Sequence, residues 1–349
     1  MDVFLHNIYN WYTKNRRNLP WRETTDPYKI WLSEIILQQT RVDQGISYYE
    51  RFTERFPAIS DLANASEDEV LKLWQGLGYY SRARNLHQTA KNVVQNFHGR
   101  FPETYREMLS LKGIGPYTAA AIASIAFDLP HPALDGNIYR VLARYFGIFD
   151  SPATGKGKKV FEHLARELMP EKNAGFHNQA LMEFGALQCV PKSPDCVNCP
   201  VPESCFAASH QKVAELPVKA KKTKQRNRFF YYYYIESEKN TWLEKRTGDD
   251  IWKNLYQFPL LESENELNEK EILGKIPTFL NGTRFNIKSI SDIVKHQLSH
   301  QIIFGRLVHA EVDEDLNLKN GFIPVQHQKI HDFAIPRLVE RLMEDAGLF

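Results

Sequence analysis

The sequence contains no apolar run of about 18 residues, the minimum a helix needs to cross a bilayer. Its N-terminus also lacks the basic-then-apolar pattern of a secretory signal. Neither a membrane span nor export is supported, so a reducing, cytoplasmic compartment is the expectation. Excess charge is equally scarce. The 44 Lys and Arg stand against 42 Asp and Glu, a net charge of +2, so any affinity for a polyanion must come from local patches. Cysteine is rare and confined, with four residues all between Cys189 and Cys205. A disulfide framework spreads its cysteines and belongs to exported chains, so a metal site is the better reading. There is no internal repeat and no low-complexity tract. At 349 residues the chain can hold two domains, each with its own core.

Strand-like alternation is missing from the first 206 residues. Phe4, Ile8, Trp11 and Tyr12 form an amphipathic stripe. Asp26-Pro27 supplies an N-cap and a first-turn proline for a helix running to about Gln39. Further helices are predicted near 43–55, 67–74, 82–97, 104–111, 116–127, 136–146, 157–168 and 176–187. Residues 1–206 therefore read as an all-α lobe. Thr154-Gly-Lys-Gly-Lys-Lys159 lacks phosphate-loop spacing and reads as a basic loop.

Residues 207–228 carry no apolar periodicity. They hold Lys212, Lys219, Lys221, Lys222, Lys224, Arg226 and Arg228 against Glu215 alone. This is either a solvated linker or one that lies along a phosphate backbone. Beyond it the period switches to two, with strands expected at Phe229–Ile235, Thr241–Lys245, Arg284–Ile290 and Gln301–Val312. Helices are expected near 266–274 and 335–346, so residues 229–349 read as an α+β domain.

The chain is organised around LKGIGPYTAAAIASIAFDLPHPALDGN, Leu111 to Asn137. A helix ends near Leu111, a Gly113-x-Gly115 turn follows, and Pro116 starts a second helix. Both glycines suit positive φ or close backbone approach. Free amides of such a turn, aimed along a helix N-terminus, make a phosphate seat. Lys112 stands beside it. Asp135 falls at the N-cap of the next helix, where backbone N–H groups and the helix dipole should keep it ionised.

Glu34 is placed otherwise. Its same-face neighbours are Ile30, Trp31, Leu37 and Gln38, so its carboxyl should be partly desolvated and its pKa raised, as a general acid requires. Two carboxyls pushed in opposite directions are how sites that break glycosidic bonds assign acid and stabiliser. Spacing alone does not show that the two meet. Gln39, Thr40, Leu77 and Tyr79 lie at helix ends where wedge and base-reading residues occur, although each also suits ordinary loop or core. The cysteines follow Cys189-x6-Cys196-x2-Cys199-x5-Cys205. With only one close pair, this spacing leans toward iron–sulfur over zinc.

Taken together, these motifs resemble the helix–hairpin–helix DNA glycosylase superfamily with a [4Fe–4S] loop. Within it, Asn18–Arg22 (NLPWR), Trp31–Val42 (WLSEIILQQTRV) and Leu73–Leu86 (LWQGLGYYSRARNL) are similar to the adenine-excising MutY branch. The resemblance implies a six-helix barrel part at roughly 22–135 and a cluster part from 1–21 and 136–206. A basic linker at 207–228 and a Nudix-like lesion-recognition domain at 229–349 complete the chain. It implies a monomer that flips adenine out of duplex DNA containing 8-oxoguanine:adenine mispairs. Glu34 would be the general acid and Asp135 the stabiliser of an oxocarbenium-like sugar. Tyr117 and Asn137 would line that site, with Arg22 at the adenine pocket. Gln39, Thr40, Leu77 and Tyr79 would face the 8-oxoguanine side, with Tyr79 as the wedge. Cys189, Cys196, Cys199 and Cys205 would hold the [4Fe–4S] cluster. Ser299 and His300 sit where the family commonly has Phe-Ser-His, with Leu298 in place of the Phe.

Bifunctional members resembling endonuclease III carry a lysine nucleophile at the position of Tyr117, so this chain is expected to stop at an abasic site. No Nudix hydrolase box occurs near Glu262–Glu271, which leaves recognition as the role of the second domain. The alternatives are a glycosylase/lyase for oxidised pyrimidines, a non-catalytic iron–sulfur DNA-binding protein, and zinc in the cysteine site.

Overall fold

The computed structural model describes residues 2–219, 225–276, 280, 284–313 and 321–348. The chain falls into two compact units, one built from residues 1–64 and 85–221 and the other from 65–84 and 222–349.

The first unit is helical. Its elements are α1 (Asp2–Asn15), a 3₁₀ turn (Pro20–Arg22), α2 (Pro27–Leu37), α3 (Val42–Arg55) and α4 (Ile59–Asn64). After α5 (Glu67–Leu73), which belongs to the second unit, come α6 (Ser81–Asn96), α7 (Tyr105–Ser110), α8 (Pro116–Phe127) and α9 (Gly136–Phe146). The series ends with α10 (Gly155–Leu168), α11 (Ala174–Leu187) and α12 (Phe206–Ser209). The division between units falls inside α6.

The expected stripe on α1 is real. Phe4, Ile8 and Tyr12 are fully buried against α9, α10 and α11, and each contributes about 1.5–3 kcal/mol of burial. Asp26 caps α2 by accepting the Tyr28 N–H at 2.9 Å. The run of alanines in α8 lets neighbouring helices come close. A Cβ on Gly175 of α11 would stand 2.8 Å from the Ser124 carbonyl oxygen, and Asn178 donates to Ser124 Oγ at 2.8 Å.

The second unit is α+β. A five-stranded mixed sheet runs in the order β4 (Leu260–Ser263), β1 (Arg226–Glu236), β7 (Gln301–Val312), β5 (Phe285–Ile290), with β6 (Val294–Gln297) also on β7. A three-stranded sheet runs in the order β3 (Tyr256–Gln257), β2 (Asn240–Lys245), β8 (Phe322–Gln326). Helices α13 (Glu269–Leu273) and α14 (Arg337–Asp345) complete it. β1 pairs with β7 in parallel from Arg226↔Gln301 to Glu236↔Glu311. Residues Phe230–Ile235 of β1 are buried on both faces. The expected alternation therefore fails in β1, because a central strand flanked on both sides reads as a continuous apolar run. It holds in β7, whose burial alternates.

Four expectations need correction. The stretch read as a linker from 207 does not leave the first unit there: Val213 and Val218 pack on its core with the fully buried Leu216. Arg144 Nε donates to the Val213 and Leu216 carbonyls at 3.1 and 3.0 Å. Three apolar residues at close spacing outweigh the lysines around them.

The end of the same stretch belongs to β1, which begins at Arg226. Arg226 donates to Gln301 Oε1, Arg228 pairs with Asp250 and Glu262, and Lys212 pairs with Glu215. These cations serve the fold instead of forming a phosphate-facing run. Lys221, Lys222 and Lys224 lie outside the described residues.

Thr154 is a helix cap and the run after it is no loop. Its Oγ1 accepts the Gly157 N–H at 3.1 Å, opening α10. A Cβ on Gly157 would stand 2.0 Å from Ser151 O, so the glycine serves close packing. Finally, only Gly113 of the hairpin pair uses positive φ, at +80°. Gly115 has φ −89° and open space around its missing Cβ.

Candidate active site

Five segments of the first unit converge on a cavity of about 360 Å³, within the range of small-molecule sites. Glu34 reaches it from the last turns of α2, Arg22 from the 3₁₀ turn, and Tyr117 from the first turn of α8. Asp135 and Asn137 come from the start of α9, and Met182 and Glu183 from α11. Gln39 and Thr40, just past α2, line the same space.

Glu34 is buried. Desolvation pushes its carboxyl up to about 7, helped by the charge of Asp135 and opposed by a Tyr117 hydrogen bond and by Arg22. It is therefore protonated in a large fraction of molecules near neutral pH. The same burial, with Glu34 and Asp135 nearby, drives Tyr117 well above its ordinary value. Tyr117 stays a neutral hydroxyl, and its OH also reaches Met182 Sδ at 3.5 Å.

Asp135 is the N-cap expected, accepting the Ile138 N–H at 2.7 Å through Oδ1. Asn137 Nδ2 donates to its Oδ2 at 2.6 Å. The expected depression of its pKa is not found. Burial raises it, and the hydrogen bonds from Ile138 and Asn137 with the charge of Arg140 only partly offset that. A cap in contact with water would behave as expected, whereas this one opens into a cavity that displaces water.

Two residues that no sequence motif singled out complete the site. Glu183 binds Arg22 through two hydrogen bonds, Nη1 to Oε1 and Nη2 to Oε2, each 2.8 Å. Arg17 joins with Nε to Oε1 at 2.9 Å, Nη2 to Oε2 at 2.6 Å and its backbone N–H at 2.9 Å. Burial alone would raise the Glu183 carboxyl, but the two arginines bring it down to about 2. Arg140 is buried one turn along α9. It donates to Asn137 Oδ1 at 2.8 Å, to the Gly185 carbonyl at 2.7 Å and to the Cys189 carbonyl at 2.7 Å. Neither carries a local signal, because the partners that define both lie 45 or more residues away in the chain.

The four cysteines, from the end of α11 to the N-cap of α12, line one small cavity beside Phe4 and Arg144. Arg144 Nη1 reaches Cys189 Sγ at 3.4 Å. Burial raises the Cys196, Cys199 and Cys205 thiols, Cys199 to about 11. Thiols raised in this way ionise together only against a centre that carries positive charge. Among the described residues, no three His, Cys, Asp or Glu converge on a point where they could hold a single metal ion.

The other expected contacts lie elsewhere. Lys112, Gly113 and Gly115 form the exposed turn between α7 and α8. A Cβ on Gly113 would come 2.9 Å from the Asn85 side chain. Leu77 and Tyr79 belong to the second unit, where Leu77 is buried and Tyr79 is exposed at φ +48°. Ser299 and His300 are exposed in the tight turn between β6 and β7, next to Leu298.

The chain matches two described families, "HhH-GPD superfamily base excision DNA repair protein" over residues 32–171 and "NUDIX domain" over 231–345. It is 36% identical over 344 residues to the adenine DNA glycosylase of Buchnera aphidicola subsp. Schizaphis graminum, covering 98% of each chain. It is 33% identical over 357 residues to that of Buchnera aphidicola subsp. Acyrthosiphon pisum, covering 98% of this chain and 97% of the other. Among solved structures, a thermostable thymine-DNA glycosylase superposes with a TM-score of 0.55 at 30% identity, over 60% of this chain and 96% of that one. A cavity that raises one carboxyl to near neutral pH beside a helix-capping second one suits N-glycosidic bond cleavage, and the relatives name the base: the chain belongs to the adenine DNA glycosylase family of base excision repair, hydrolases that act on DNA.

Proposed function

We propose that the enzyme is a monofunctional, monomeric glycosylase that removes adenine opposite 8-oxoguanine or guanine. The observation that carries this reading is Glu34, buried in the cavity with its carboxyl near pKa 7 and hydrogen-bonded to Tyr117. Adenine flipped into the cavity meets Arg22, held in place by Glu183. Glu34 gives its proton to a ring nitrogen of the base as the C1′–N bond breaks and the bonding pair leaves with adenine. The carboxylate of Asp135, with both oxygens held by Asn137 and Ile138, lies where positive charge develops on the sugar. A water then adds at C1′ and returns its proton to Glu34. Tyr117 offers a hydroxyl and no amine, so no Schiff base forms and the strand is left whole at an abasic site.

Cys189, Cys196, Cys199 and Cys205 would hold a [4Fe–4S] cluster. A multi-iron centre needs its thiolates around a shared volume and not on one atom, which matches the cavity they line. The cluster would tie α9 to the chain after α11 and takes no part in the chemistry above. Residues 229–349 would read the lesion through Ser299 and His300, Leu298 supplying contact area without an aromatic face.

The test is single-turnover base release on duplexes with adenine opposite 8-oxoguanine, guanine and thymine, scored with and without alkali. Release from the first two, with strand breaks only after alkali, is the expected result. Nicking without alkali at the rate of base release would instead make the enzyme a glycosylase/lyase.

A further inference from the structure

The segment 65–84 lies within the sequence span of the glycosylase family match, yet it packs as part of the second unit. On α5, Asp68 accepts Lys245 Nζ of β2 through Oδ1 at 2.5 Å and the Tyr256 hydroxyl through Oδ2 at 3.0 Å. Lys245 also lies over the Tyr256 ring, 5.2 Å from its centroid. The neighbouring Glu67 accepts from the Asn254 side chain. One turn further on, Lys72 Nζ donates to the Phe333 carbonyl at 3.2 Å, and Gln75 is hydrogen-bonded to Glu340 of α14. Past the turn, Arg84 Nη1 donates to the Lys253 carbonyl at 2.9 Å.

What lies between these anchors is the Gly76–Tyr80 turn. Its backbone is held in the left-handed region at Gly76, Gly78 and Tyr79, with φ +95°, +72° and +48°. It is braced from inside by Trp74 Nε1 donating to Gly78 O at 3.0 Å and by Arg82 Nη2 donating to the Leu77 and Gly78 carbonyls at 3.3 and 3.2 Å. Arg82 lies 5.6 Å from the Tyr79 ring centroid. Tyr79 is the exposed tip of this turn. A non-glycine residue at positive φ persists only where its surroundings over-determine it, and here both flanks of the turn are fixed to residues 245–340.

We infer that Asp68 is a positioning residue for Tyr79, through which the second unit sets the placement of the wedge turn. This rests on the reading of Tyr79 as the residue that unstacks DNA at the mispair. The second unit would then act on specificity in two ways, by its own contact with the lesion and by fixing the wedge. Deleting residues beyond 225 would remove both at once.

The experiment uses the full chain and Asp68→Lys, alone and with Lys245→Asp, which reverses the pair. The first measurement is hydrogen exchange of amides 76–82 in the DNA-free protein, which requires no activity. Asp68→Lys should raise exchange there about fivefold or more, the equivalent of one lost anchoring pair. The reversed pair should restore at least half of that, with exchange in β7 unchanged throughout. The second is the fluorescence of 2-aminopurine beside an 8-oxoguanine:adenine mispair, which reports unstacking. It should fall in Asp68→Lys toward the level of Tyr79→Ala and recover in the reversed pair.

If Asp68→Lys melts the whole unit, Lys245→Gln, which leaves the Asp68–Tyr256 bond, takes its place with the same expectations. Unchanged exchange at 76–82 in a folded variant, or loosening that the reversed pair does not repair, overturns the inference. Failure of the wild type to release adenine would instead overturn the functional reading and leave the exchange result standing.

Discussion

Asn137 donates from Nδ2 to Asp135 Oδ2 across 2.6 Å, while its own Oδ1 takes a hydrogen bond from Arg140 at 2.8 Å. The amide therefore has one orientation, and it presents a donor to the carboxylate. The Arg140 guanidinium also holds the carbonyl of Cys189, so the Asp135 carboxylate and the cysteine loop share one hydrogen-bonded chain.

Replacing Asn137 with Ala removes a hydrogen bond that favours the charged form of Asp135. Its carboxyl, already raised by burial, should rise further. In the proposed mechanism base release needs Asp135 ionised, so the acidic limb of the pH–rate profile should move to higher pH. The rate near pH 7 should fall by roughly 10–100-fold, of the order expected on losing one charge-assisted hydrogen bond. A profile with an unmoved acidic limb would separate Asn137 from Asp135.

Glu34→Gln should abolish most base release, by about 10²–10⁴-fold, while binding to mispaired DNA is retained. Its effect on stability has the opposite sign. The folded pKa of Glu34, about 7, lies above the ordinary value of 4.5, so the native state binds a proton more tightly than the unfolded chain. That contribution is complete below pH 4.5 and is lost as pH rises through 7. The glutamine variant should thus match the wild type at pH 4 and exceed it at pH 8, by on the order of 2–3 kcal/mol. Thermal melts at the two pH values give the comparison, and equal Tm at pH 8 would contradict the burial argument.

Glu183 runs the other way. Its folded pKa is depressed to about 2, so its contribution is present above pH 4.5 and is lost as pH falls toward 2. Glu183→Ala would leave Arg22 and Arg17 without their common partner and should cost roughly 3–5 kcal/mol at pH 7. Denaturant titration at pH 7 measures this. Glu183→Gln should keep most of the fold while weakening the hold on Arg22, seen as a higher KM for mispaired DNA.

Cys199→Ser should reduce iron per chain and bleach the visible absorbance expected of a [4Fe–4S] centre. Colourless native protein containing zinc would replace the cluster with a zinc site. Because Arg140 and Arg144 both bond to Cys189, loss of the centre should also loosen α9, a change that amide exchange at residues 136–146 would register.

Much of this was readable in the residues because local signals agreed with the global fold. Asp26-Pro27 and Asp135 are caps whose chemistry is complete within three residues. Glu34 was legible because one helix turn already surrounds it with apolar side chains. What escaped depends on partners far away in sequence. β8 contains Pro324, which speaks against a strand, yet β8 lies at the edge of its sheet, where a missing N–H is tolerated. β6 reads Val-Lys-His-Gln and buries only its valine. Glu183 looked like any helical glutamate until Arg17 and Arg22, some 160 residues earlier in the chain, arrived beside it. The pKa direction of Asp135 was misread for the same reason, since a cap motif says nothing of the cavity above it.

The packing of residues 65–84 bears on how relatives can be recombined. A chimaera joined near residue 225, between the two family matches, would combine a foreign Lys245, Tyr256 and Glu340 with a resident Asp68 and Gln75. Inheritance along the chain and cohesion in space divide this protein differently. A working hybrid must therefore carry the helix Glu67–Leu73 and the turn after it together with its C-terminal half.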